Sequence, residues 1–339
     1  MNLDALNKVA NAMVEPGRGI LAADESTGTI KKRFDAIGVE NTEDNRRDYR
    51  ELMFRAKDAM AYVSGVILYD ETIWQKAKDG TPLVKLIEQA GSIPGIKVDE
   101  GVRELAGVTK KGEVVTAGLD GLPKRLKAYH EQGARFAKWR AVIDPTNLSY
   151  AGLLSNAHAL ARYANLCQEF DIVPIVEPEV LMDGDNDIDT TYAVTEWVLK
   201  ETFQQLYYLN VALEGIILKP NMIVPGKKAK QASVDAVAEK TIKCLKACVP
   251  SAVPGIAYLS GGQSDEDATA HLSRMNEIGG FPWKMTFSYG RALQAAPQKA
   301  WSGKSENVAA AQRAFLHRAR MNGLASKGEW KPALEKQAA

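Results

Sequence analysis

Seven charged residues interrupt or end stretches otherwise rich in Ile, Val, Leu and Ala: Asp24, Lys97, Lys138, Arg140, Glu177, Glu179 and Lys219. Such stretches are strand-like, and a strand covered on both faces is a costly place for a charge. Each charge must therefore be paired or face a shared polar site. Lys138 and Arg140 lie two apart, as do Glu177 and Glu179, so each pair shares one face of its strand. A lysine taken out of water beside a second cation gives up its proton more readily, and the free amine attacks a carbonyl carbon. The resulting iminium stabilises a carbanion on the adjacent carbon. Lys219, at the end of "GIIL", is the candidate amine, with Lys138 as its neighbouring cation. Glu177, Glu179 and Asp24 are candidate proton carriers. Taken alone, Lys219 reads equally well as a lysine whose stem lies on apolar surface. The convergence of the whole set favours chemistry.

The same inventory argues against a metal. The four histidines are His130, His158, His271 and His317, none of them in a strand and none at ligand spacing from another. Zinc and non-haem iron sites usually take two or three imidazoles. Three lysines would also repel a magnesium ion. We expect neither metal nor cofactor.

Two further segments point to an anion. Ser260-Gly261-Gly262 follows "GIAYL", and Ser288-Tyr289-Gly290-Arg291 follows "MTF"; each leads from a strand into a helix. Glycines allow close backbone approach, helix N-termini present free N–H groups, and arginine binds phosphate with two parallel bonds. Lys97, Lys138 and Arg140 are candidates for a second anion across the same mouth. The chemistry implied is a metal-free, lysine-dependent C–C bond reaction on a phosphorylated carbonyl compound.

Eight strand-length runs must position these groups: 19–24, 63–70, 95–99, 136–143, 172–180, 215–220, 255–262 and 285–290. Segments of helical period lie between most of them, for example 45–62, 154–170, 191–210 and 233–249. This alternation predicts parallel βαβ units and a closed (β/α)8 TIM barrel of class α/β, whose active face is the C-terminal one. An open doubly wound sheet is the alternative, but no G-x-G-x-x-G follows the first run. The region 100–130 reads as a polar loop plus helix, and the chain after Gly323 as a polar, loosely ordered tail from about 324. There is no internal repeat and no boundary, so 1–339 reads as one catalytic domain.

Composition bounds the remaining function classes. The 339 residues carry 43 Lys+Arg against 42 Asp+Glu, a net charge of +1, which leaves no field for holding nucleic acid. Apolar residues make up 45% of the chain, yet no run approaches the roughly 20 residues of a membrane span. The first residues do not resemble a signal peptide. Cys167, Cys244 and Cys248 are too few for a disulfide scaffold. A cytoplasmic protein is expected.

"GRGILAADESTGTIKKRF", "GIKVDEGV", "GARFAKWRAVI", "IVPIVEPEVLMDGD", "LEGIILKPNMIVPG", "LSGGQSDEDA" and "TFSYGRALQ" together resemble class I fructose-1,6-bisphosphate aldolase over nearly the full length. The resemblance implies that Lys219 forms the Schiff base and that Glu177 dehydrates the carbinolamine and moves protons, with Glu179 beside it. Asp24 would assist cleavage at the C4 hydroxyl, and Lys138 would keep Lys219 unprotonated. Ser260, Gly261, Gly262, Ser288, Gly290 and Arg291 would hold the C1 phosphate. Lys97, Arg140, Ser26 and Arg33 would lie around the C6 phosphate or the open chain. The implied products are dihydroxyacetone phosphate and glyceraldehyde 3-phosphate, and the implied assembly is a cytoplasmic homotetramer of glycolysis and gluconeogenesis. Animal members end in a tyrosine that reaches the site, whereas the last tyrosine here is Tyr289, so no such tyrosine is expected. Two other readings fit parts of the pattern: a lysine-dependent aldolase or transaldolase for another sugar phosphate, and a barrel serving as a binding scaffold.

Overall fold

The structure, a computed structural model, describes residues 1–107 and 112–336. Eight parallel strands close into a barrel: Gly19–Ala23, Val63–Leu68, Ile93–Lys97, Phe136–Ile143, Val173–Val180, Ile217–Leu218, Gly255–Tyr258 and Lys284–Tyr289. They pair in chain order, and the last returns to the first. The sixth strand is short, but Lys219 extends its ladder by donating its N–H to the Val176 carbonyl at 2.8 Å. Outer helices include Tyr150–Glu169, Ile188–Tyr208 and Val234–Cys248, close to the periods read from sequence. Ser149, Asp187 and Ser233 cap them by accepting the N–H three residues on.

The barrel interior is divided along its length. Ile20, Ala22, Ile67, Phe136, Val173, Ile175, Ile217 and Ala257 form an apolar floor, closed from below by Leu6, Ala10 and Met13 of the helix Leu3–Met13. Side chains of one strand face alternate every residue, so the floor positions continue upward in steps of two. Ala22 leads to Asp24, Phe136 to Lys138 and Arg140, Ile175 to Glu177 and Glu179, and Ile217 to Lys219. The charges therefore occupy the upper turns of the strands whose lower turns make the core. Phe136 fills the floor so fully that a Cβ on Gly95 would stand 2.3 Å from its ring, and one on Gly65 2.9 Å.

Two expectations need correcting. The region 100–130 is more than a loop and a helix: Val102–Glu104 pairs antiparallel with Val114–Thr116 before the helix Leu122–Gln132. Val108, Thr109, Lys110 and Lys111 of the expected loop lie outside the described residues. From 324 to 336 the chain is docked rather than loose, and 337–339 lie outside the described residues. Its helix runs to Ala325, and a 3-10 turn follows at Pro332–Lys336. There Glu335 accepts from Arg318 at 2.6 Å, from His317 at 2.9 Å and from the Trp330 indole at 2.9 Å.

Candidate active site

The C-terminal ends of the strands open on a cavity of about 940 Å³. Every candidate residue named from the sequence lines it except Gly262, which sits in the same turn one residue back. Gly262 has φ +77°, a conformation that favours glycine.

At the cavity floor, Lys219 Nζ stands 3.3 Å from Glu177 Oε1. Lys138 Nζ stands 3.6 Å from Glu177 Oε2 and 2.7 Å from Asp24 Oδ2. The side chains of Lys138, Lys219 and Glu177 are all nearly inaccessible to solvent. Glu177 Oε2 has no hydrogen-bond partner among the described residues, so this buried carboxylate keeps an oxygen free to take or give a proton. Burial opposes the charge of Lys138, but Asp24, Glu177 and Asp99 overcome it and hold the ammonium well above the usual lysine value. Burial likewise pushes the Asp24 carboxyl up, and Lys138, Lys219 and Lys97 reverse this, bringing it to about 2. Lys138 and Asp24 are thus a fixed cation and a fixed anion at neutral pH.

A second layer lies above. Arg140 Nε donates to Glu179 Oε2 on the next strand, two residues beyond its register partner Glu177. Lys97 is engaged by Asp99, at 2.8 Å through the carboxylate and 2.6 Å through the carbonyl. Ser26 caps the helix Thr27–Asp35, accepting the Thr29 N–H at 3.4 Å, so its hydroxyl and the helix start face the cavity together.

The opposite wall holds Ser260, Gly261, Ser288, Gly290 and Arg291. Ser288 Oγ is buried with no hydrogen-bond partner among the described residues, a donor free for a ligand. Arg291 donates to the Gln263 carbonyl, which ties the two strand-to-helix turns together. Arg33 belongs to this wall. Its Nη2 lies 3.6 Å from where a Cβ on Gly290 would stand. Glu25 holds it there, itself accepting from the Gln294 amide at 2.8 Å.

Sequence reasoning missed several members of this set. Asp99 was visible two residues beyond Lys97, on the same strand face, and is buried. Glu25, Gln294 and Gln263 gave no signal, because their contacts cross the fold. Among the described residues, no cluster of three or more His, Cys, Asp or Glu is placed to hold a metal ion.

A closed parallel barrel with buried lysines and carboxylates at its C-terminal mouth, and a wall of serine, glycine and arginine after its last two strands, has the architecture of a barrel enzyme. Comparison with known proteins narrows this. Residues 5–339 match the family described as fructose-bisphosphate aldolase class-I. A probable fructose-bisphosphate aldolase class 1 of Xanthomonas campestris pv. campestris is 55% identical over 98% of this chain and 100% of its own length. The cytoplasmic isozyme of Spinacia oleracea is 52% identical over 96% of this chain and 92% of its own. The fructose-bisphosphate aldolase of Plasmodium falciparum, solved with TRAP and a small-molecule inhibitor, superposes with a TM-score of 0.95. It is 46% identical, and the match covers 97% of this chain and 96% of that one. The chain belongs to the class I fructose-bisphosphate aldolase family. It is therefore a lyase acting on a sugar phosphate. Among the described residues, no helix is long and apolar enough to cross a membrane.

Proposed function

We propose that the chain cleaves fructose 1,6-bisphosphate without a metal, through a Schiff base on Lys219. The observation that carries this reading is the placement of the Glu177 carboxylate between Lys219 at 3.3 Å and Lys138 at 3.6 Å on an otherwise apolar floor. One carboxylate there serves two amines, and among the described residues only Lys138 has a second carboxylate of its own, Asp24 at 2.7 Å. Lys219 is thus the amine free to react.

Glu177 takes a proton from Lys219 across 3.3 Å, and the amine so freed adds to the C2 carbonyl. Glu177 protonates the hydroxyl of the carbinolamine, which leaves as water and generates the iminium. Asp24 accepts the proton of the C4 hydroxyl as the C3–C4 bond breaks. Its electron pair moves onto the iminium nitrogen, and the aldehyde product departs. The proton held by Asp24 passes through Lys138 to Glu177, which delivers it to C3 of the enamine, and water then releases dihydroxyacetone phosphate from Lys219. Lys138 stabilises both carboxylates, and Glu179 orients Arg140.

Ser260, Gly261, Gly262, Ser288, Gly290, Arg291 and Arg33 hold the C1 phosphate in this reading. Ser26, Lys97 and Arg140 face the C6 phosphate. That second anion must draw Lys97 off Asp99 and Arg140 off Glu179. The whole chain acts as one catalytic unit and assembles as a homotetramer. A cytoplasmic location is consistent with the names of the cytosolic relatives.

Borohydride added with fructose 1,6-bisphosphate should reduce the iminium and leave a stable adduct on Lys219, located by peptide mass spectrometry. An adduct on another lysine overturns the assignment. Activity should survive EDTA, and its loss would restore a metal to the mechanism.

A further inference from the structure

We propose that His271 is a positioning residue for the phosphate end of the substrate, acting through Gln263 on Arg291. The inference rests on the reading of the Ser260–Gly262 turn and Arg291 as the C1-phosphate site.

The phosphate wall has no strand of its own at this point. It is a turn with two adjacent glycines, one of them at φ +77°, and such a segment has little intrinsic stiffness. Its end is Gln263, whose N–H donates to the Ser260 carbonyl at 3.3 Å. The Gln263 carbonyl in turn accepts from Arg291, a cation of the wall. The place of Gln263 therefore sets both the backbone N–H groups and the guanidinium.

Gln263 is held from behind by one side chain. Its Oε1 lies 2.6 Å from His271 Nδ1, and both residues are buried, at 6% and 7% exposure. An amide oxygen only accepts, so His271 carries its hydrogen on Nδ1 and donates it. The other end of the carboxamide, Nε2, is buried with no partner among the described residues. Without His271 the carboxamide would have no hydrogen bond at either end, a state that a buried polar group escapes by moving. His271 belongs to the helix Asp265–Ile278, which Ser264 caps at the Asp267 N–H, 3.0 Å away. The support is thus a rigid element rather than another loop. Burial keeps the ring neutral, with its pKa lowered to about 4, and the nearby Asp267 opposes this only in part.

Three variants separate this role from a general one. His271→Leu removes the donor and keeps apolar bulk. His271→Asn places an amide N–H where Nδ1 stood. Gln263→Met removes the carboxamide and leaves the backbone carbonyl for Arg291. We expect His271→Leu and Gln263→Met to raise KM for fructose 1,6-bisphosphate by about tenfold, the size of one lost hydrogen bond in binding, with kcat within about twofold. The inhibition constant of inorganic phosphate should rise equally, and His271→Asn should restore both values. A fall in kcat at unchanged KM, or failure of His271→Asn to restore KM while it restores thermal stability, overturns the proposal. Should His271→Leu not fold, Gln263→Met carries the test alone. Arg291→Ala is the control on the underlying reading. If it raises KM while the Gln263 and His271 variants do not, the positioning role falls and the phosphate site stands. If Arg291→Ala changes nothing, the phosphate site itself is misplaced.

Discussion

Lys138 Nζ stands 2.7 Å from the Asp24 carboxylate and 3.6 Å from that of Glu177, so one buried ammonium joins the ends of the first and fifth strands across the barrel mouth. Removing it leaves two buried carboxylates facing each other, and such a pair does not remain doubly ionised. Lys138→Met should therefore raise the Asp24 carboxyl from about 2, because burial is then opposed only by more distant cations. Carboxyl-carbon NMR titration reads this shift directly. Turnover should drop by about a hundredfold or more, since Asp24 would lose its fixed charge. An Asp24 resonance that still titrates near 2 would show that Lys138 does not set its charge.

Glu177→Gln keeps the shape of the floor and removes the proton. Loss of a positioned acid–base group costs about 10²–10⁴ in rate. We expect kcat to fall within that range while KM changes less than about threefold. Steady-state kinetics with coupled product detection provides the check. A loss carried by KM instead would make Glu177 a binding residue.

The floor makes its own demand, on size. Gly95 and Gly65 face the Phe136 ring at distances where a Cβ cannot fit, 2.3 and 2.9 Å. Gly95→Ala should cost about 1–3 kcal/mol, the usual range for overpacking. Adding Phe136→Leu to Gly95→Ala should recover part of the loss in urea unfolding. Additive destabilisation in the double variant would mean that the ring is not what meets the methyl group.

Acid should weaken the fold in two separate windows. His271 is lowered from 6.5 to about 4 by burial, so between those values the unfolded chain binds a proton that the folded chain refuses. Stability from this source is complete above about pH 6.5 and declines toward pH 4, by up to about 3 kcal/mol. Asp24, lowered from 3.8 to about 2, contributes stability that is complete above 3.8 and is lost as pH falls through about 2. Urea midpoints measured from pH 7 to pH 4.5 should fall more steeply for the native chain than for His271→Asn. Parallel profiles would remove His271 from the account.

All eight barrel strands were legible in the chain, because buried parallel strands are continuous apolar runs and the charges that interrupt them stand out. The site followed from the same contrast, since step-of-two spacing carries Lys138, Arg140, Glu177 and Glu179 from an apolar floor to one mouth. What stayed hidden depends on contacts between distant segments. Arg33 turns toward Gly290 because Glu25 and Gln294 hold it there, and nothing within its own helix says so. The end of the chain looked loose because its residues are polar. Glu335 is nonetheless fixed by Arg318 and His317, which lie on a helix that the tail folds back to meet. The hairpin strands at Val102–Glu104 and Val114–Thr116 are three residues each, too short to show a period.

The split of the barrel interior into an oily base and an ionic rim, written on the same strands, restricts how such a gene can drift. Exchanging one side chain for another alters a single rung. Adding or deleting one codon inside Phe136–Ile143 or Val173–Val180 would turn every rung above it to the opposite side, sending the ions into the layer beneath the outer helices and greasy groups into the mouth. Ancestral variation in this lineage should therefore accumulate as replacements within these two segments and as length changes only outside them.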